Sequence, residues 1–145
     1  MFDYTKQNPV PWADEFSQPT LAELIVGLEE DERPAFEAAI RAIKARKGRR
    51  DRIEWQGLPW RWTMCFTLPG QDHPALAYLI AKPGGAFVCI PVSIGDDHGL
   101  DFDELTKPVR TRLDQSPIIA GYIWSEWPVA DLDPVAIKPL LDARG

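Results

Sequence analysis

The feature that most constrains this chain is a change of hydrophobic period. From Trp60 to Leu68 the even positions are Trp60, Trp62, Met64, Phe66 and Leu68, while Arg61, Thr63, Cys65 and Thr67 lie between them. Strict alternation places every second side chain on one face, as in a strand with one buried and one wetter surface. Before this segment the period is helical. Leu21, Leu24, Ile25 and Leu28 follow a Thr20–Glu23 capping box, and Phe36, Ala39, Ile40 and Ile43 follow a cap expected at Asp31. Gly48 is expected to end this second helix. A chain that moves from two amphipathic helices to alternating strands must pack a helical layer against a sheet.

Further strands are expected at 52–56, 75–82 and 86–93, the last two joined through Pro83-Gly84-Gly85 as a tight hairpin. Short hairpin links make neighbouring strands antiparallel, which implies a meander. Leu105, Val109 and Leu113 mark an inserted helix that tolerates Pro108 only in its first turn. A last strand spans 121–129. Asp133 and Pro134 then open a short terminal helix in which Pro139 is a source of strain. The expected class is α+β. An antiparallel sheet of four to five strands carries two N-terminal helices, an inserted helix and a short C-terminal helix. Residues 1–19, with Pro9, Pro11 and Pro19, read as an extended arm, and 20–145 as one domain.

Charge and composition exclude several classes. The chain of 145 residues carries a formal net charge of −6, although Arg41 to Arg52 alone holds a local +6. The remainder is therefore strongly acidic and is repelled by polyphosphate, which argues against nucleic acid as the partner. The basic stretch lacks interleaved aromatics and suits the negative pole of a helix C-terminus. The longest uncharged run, Pro83 to Gly95, is far short of the ~20 residues of a membrane helix. No secretory pattern is expected at the N-terminus, and two cysteines do not make a disulfide framework. A reducing, cytoplasmic setting without membrane attachment is the resulting expectation.

Residues suited to chemistry are few. No nucleophile elbow, phosphate loop, dinucleotide fingerprint or paired-cysteine metal motif is present, and His73 and His98 fall in expected loops. Asp96, Asp97, Asp101, Asp103 and Glu104 gather carboxylates, but their spacing is that of helix-capping acids and not of a calcium loop. No catalytic residue, metal ligand or cofactor is assigned, and the balance leans against an enzyme.

The outer sheet face is more informative. If the even positions face the helices, Arg61, Thr63, Cys65, Thr67, Phe87, Cys89 and Ser93 share the opposite face, joined by Tyr122, Trp124 and Glu126. A surface with aromatics, one cation and one anion suits a small molecule or peptide. Arg61, Cys65, Trp124 and Glu126 are the candidate ligand-binding residues. An intervening strand would hold Cys65 and Cys89 about two inter-strand spacings of ~4.8 Å apart, too far for a disulfide, so both thiols are expected free.

The segments PTLAELIVGL, EWQGLPWRWTM, LAYLIAKPGGAFVCIPV and GYIWSEWPVADLDPVAIKPLLDAR, in that order, resemble the YdhG-like superfamily of small bacterial domains of unknown function. The resemblance implies an α+β fold in a bacterial cytoplasm and no assigned reaction. Some relatives in that group carry a frataxin-like iron-chaperone label, for which the nearest counterpart here is Glu29 to Glu32 with Glu37. The leading functional expectation is a non-enzymatic binding module using the outer sheet face. Alternatives are an acidic, immunity- or antitoxin-like protein partner and a frataxin-like iron chaperone.

Overall fold

The computed structural model describes residues 16–44, 50–57, 60–67, 75–82, 85–93, 103 and 105–142. The elements run α1 (Leu21–Val26), α2 (Arg33–Lys44), β1 (Arg50–Trp55), β2 (Trp62–Thr67), β3 (Ala77–Ile80), β4 (Phe87–Ser93), α3 (Lys107–Gln115), β5 (Ile118–Ile119), β6 (Tyr122–Pro128) and α4 (Pro134–Asp142). This is the expected α+β class and element order, with one strand more than expected. The Gly48 helix end, most of the Pro-rich arm, Leu68 and the Pro83-Gly84 turn lie outside the described residues. Among the described residues, no helix is long and apolar enough to cross a membrane.

The α1 capping box forms as the sequence implies: Glu23 N donates to Thr20 Oγ1 at 3.2 Å, and Thr20 N donates to Glu23 Oε1 at 3.3 Å. Six residues make a weak helix on their own. Arg33 compensates at the far end, donating from Nη2 to the last helical carbonyl, Val26 O, and from Nε to Leu28 O just beyond the cap. The second cap differs from expectation. Phe36 N bonds to Glu32 O at 2.9 Å, so α2 starts from Glu32 and Asp31 belongs to the preceding turn. Phe36, Ala39, Ile40 and Ile43 are buried on one face, and Arg41 and Lys44 occupy the last turn, where cations suit the helix dipole.

All strand pairs are antiparallel, in the order β1-β2-β3-β4-β6-β5. The helix-facing surface holds Met64, Phe66, Leu79, Val88, Ile90, Val92, Ile123 and Trp127, which form one core with residues of all four helices. Ser125 is a buried polar residue on that face and is satisfied: its hydroxyl donates to Ile90 O at 2.7 Å and accepts from Trp127 Nε1 at 3.0 Å. The inserted helix behaves as expected, with Pro108 in the first turn and Val109 and Leu113 buried. Pro139 lies inside α4, whose Asp133 cap accepts from Val135 N at 3.0 Å.

The additional strand comes from a hairpin turn with weak sequence markings. Ile119 pairs with Tyr122 across Ala120 and Gly121, whose φ values are 55° and 83°. Two consecutive left-handed residues make a type I′ turn, which asparagine-glycine suits far better than alanine-glycine. Ala120→Asn is therefore expected to stabilise the protein by about 0.5–1 kcal/mol, because alanine bears the cost of the left-handed region. Thermal unfolding of the two proteins side by side checks this, and an unchanged or lower midpoint would refute it.

Trp60 also departs from expectation. Alternation placed it on the helix-facing surface with Trp62, but β2 begins only at Trp62. Arg61 adopts φ 62° and Gly57 φ 75° at the two ends of the β1–β2 loop. The loop closes through Gln56 N to Arg61 O at 2.9 Å and Arg61 N to Gly57 O at 2.6 Å. The left-handed residue interrupts the alternation, and Trp60 swings to the outer face.

Candidate binding site on the outer sheet face

The outer face carries a core of its own. Cys65, Ala75, Tyr78, Ile80 and Cys89 are buried there, with Trp60, Phe87 and Trp124 packed against them. Because β3 is buried on both sides, its sequence Ala77-Tyr78-Leu79-Ile80 is a continuous apolar run without alternation. The ring of Trp60 lies 5.1 Å from Tyr78, 6.3 Å from Phe87 and 6.5 Å from Trp124, and Tyr78 lies 6.0 Å from Trp124. These spacings fall in the range of favourable tilted and edge-to-face contact. Four aromatic rings from three strands and a loop thus form one cluster.

The strand register draws a line of chemistry across this face. Arg52 pairs with Cys65, Cys65 with Tyr78, Tyr78 with Cys89, and Cys89 with Glu126. A phenol therefore separates the two thiols, and a charged residue stands at each end of the row. Both cysteines are free, as the meander requires.

Of the candidate residues, the structure gathers Cys65 and Trp124 into one cluster, with Glu126 beside Trp124 on the same face of β6. Cys65 is only 2% exposed, Trp124 is half-buried and Glu126 is exposed. Arg61 is half-buried in the β1–β2 loop next to Trp60, outside strand alternation. Trp124 is oriented by a bond from Nε1 to Ile119 O at 3.1 Å, so the additional strand positions a site residue. Trp60 and Tyr78 belong to this cluster but are not among the residues the sequence pattern selects. No local signal marks Trp60, because its face depends on the left-handed Arg61. Tyr78 was legible only through the register that sets it between the two cysteines.

Burial determines the chemistry of the thiols. Cys65 is pushed up from 9.0 to about 12, first by burial and then by the Glu54 carboxylate, with Arg52 and a 3.3 Å bond from Gln56 Nε2 partly offsetting. Cys89 is likewise pushed up to about 12, by burial and then by Glu126. Thiols held in this way are protonated at neutral pH and poor nucleophiles.

Among the described residues, no three His, Cys, Asp or Glu side chains gather to hold a metal ion. Glu29 to Glu32 lie at the junction of α1 and α2. Asp103 is exposed, while His73, His98, Asp96, Asp97, Asp101 and Glu104 lie outside the described residues. A groove of about 260 Å³ lies elsewhere, between the starts of α3 and α4, and is lined by Val109, Trp127, Asp131, Asp133 and Ile137. No family model, curated protein or solved structure matches this chain.

Proposed function

We propose that the protein is a non-enzymatic binding module that takes a small molecule or peptide on the outer sheet face, against Trp124 and Glu126. The observation that carries this reading is the cluster of Trp60, Tyr78, Phe87 and Trp124 beside the exposed Glu126 carboxylate. Aromatic faces attract cations through their quadrupole, and an adjacent carboxylate adds to that attraction. A ligand with an apolar body and a positive group is the chemistry this surface favours. The buried thiols act as packing in this reading and contribute no reaction. Two free, protonated cysteines also suit a reducing compartment such as the cytoplasm. The YdhG-like resemblance, which implies no reaction, is compatible with a binding role.

The test is a titration with aromatic amines, aliphatic amines and short lysine- or arginine-bearing peptides, followed by amide chemical shifts and tryptophan fluorescence. Shifts should centre on Trp60, Trp124 and Glu126, and Glu126→Gln should weaken the binding of cationic ligands about fivefold, in line with a single exposed charge contact. Shifts confined to the groove between α3 and α4, or no response to any probe at millimolar concentration, would overturn the reading.

A further inference from the structure

We propose that the outer edge of β1 is the contact surface of a two-fold dimer, in which the sheets of two copies join edge to edge. The inference rests on which backbone groups β1 turns outward and on the order of its charges. Gln56 and Arg61 form a hydrogen-bonded pair at the loop end of the β1–β2 hairpin. Antiparallel ladders alternate bonded and non-bonded pairs, so Glu54–Thr63 and Arg52–Cys65 are bonded, whereas Trp55–Trp62 and Ile53–Met64 are not. The peptide groups of Ile53 and Trp55 therefore point away from β2. A bond from Gln18 Nε2 to Ile53 O at 3.1 Å, reached from outside the sheet, agrees with that direction. At six residues β1 is long enough to pair, whereas the opposite edge, β5, has two.

Charge selects the register. Two-fold antiparallel pairing centred on Ile53 sets each Ile53 against its counterpart and Arg52 against Glu54 of the partner subunit. Shifting the centre to Arg52 opposes two arginines, and shifting it to Glu54 opposes two glutamates. Like charges directly opposite are destabilising, and unlike ones are favourable. The Ile53 register alone satisfies both the outward peptide groups and the charges over the length of β1. Arg52 and Glu54 already lie on one face as an ion pair at 3.1 Å, with side chains 50% and 35% exposed. Pairing would extend this into a four-residue network. Gln18 competes for the carbonyl that the dimer needs and so acts as a guard on an edge that no other described strand pairs.

Sedimentation equilibrium on the full chain, from about 10 μM to about 1 mM, tests the proposal over the range expected of a short edge contact. A reversible dimer should grow with concentration. Gln18→Ala should tighten it several-fold. Arg52→Glu should weaken it about tenfold by opposing two pairs of glutamates. Arg52→Glu combined with Glu54→Arg should restore it, because the swapped charges are again complementary. Ile53→Pro should abolish it while leaving the monomer folded by circular dichroism, since that N–H faces away from β2. A monomer at every concentration in both the wild type and Gln18→Ala would overturn the proposal. So would a dimer indifferent to the charge variants and to Ile53→Pro.

Discussion

Replacing Phe66 by alanine is expected to lower the free energy of unfolding by about 3–5 kcal/mol, the range for removing a buried aromatic ring. Phe66 is fully buried on β2, between Asp51 of β1 and Ala77 of β3, and its ring belongs to the core between sheet and helices. Met64 and Leu79 on the same face belong to the same packed set, so collapse into the vacated space is restricted and a cavity adds to the lost transfer energy. Domains of this size have total stabilities of about 5–15 kcal/mol, so the variant loses a large fraction of its margin. Urea unfolding gives the measurement, with Val135→Ala as the reference. Val135 is 79% exposed and should change stability by no more than about 0.5 kcal/mol. A loss below about 1 kcal/mol for Phe66→Ala would show that this core is not packed as described.

The second large effect is on the thiols. Below pH 9, raising a thiol from 9.0 to about 12 lowers its thiolate fraction roughly a thousandfold, and the thiolate is the reactive form. Native Cys65 and Cys89 should therefore react with a disulfide reagent at pH 8 about a thousand times more slowly than the two thiols of the denatured chain. The same shift has a consequence for stability. The folded state keeps protons that the unfolded chain releases above pH 9, so this contribution is intact below pH 9 and is lost as pH rises toward 12. Each thiol lowers stability by about 1.4 kcal/mol per pH unit across that window. Cys65→Ala/Cys89→Ala should remove this excess slope, so the variant and wild-type curves should diverge in steepness only above pH 9. Fast labelling of the native protein, or parallel curves above pH 9, would contradict the assignment of both thiols as buried and protonated.

Much of the candidate site was legible because strand alternation is a local property. Residue parity alone puts Cys65, Cys89, Trp124 and Glu126 on one face, and the register places Cys65, Cys89 and Glu126 in one row of adjacent strands. The separation of the two cysteines was likewise readable, because hairpin links require β3 to lie between their strands. Parity failed where the backbone left the strand region. Arg61 at φ 62° moved Trp60 to the other face, and Ala120 at φ 55° opened a hairpin that alanine does not advertise.

The sequence by itself determined the class, the element order apart from β5, the helix-facing core apart from Trp60, and the free state of both thiols. These follow from periods of 3.6 and 2, from caps such as Thr20 and Asp133, and from the shortness of the links between strands. Only the tertiary structure decided that the outer face is a second buried cluster, since the sequence pattern marked only one face of β2 as apolar. Only it decided that Tyr78 stands between the thiols, that Trp60 packs on the same cluster, and that the peptide groups of Ile53 and Trp55 turn outward at an edge that no other described strand pairs. The reason is physical. Alternation tells which residues share a face, but what covers that face depends on left-handed turns and on contacts between residues far apart in the chain.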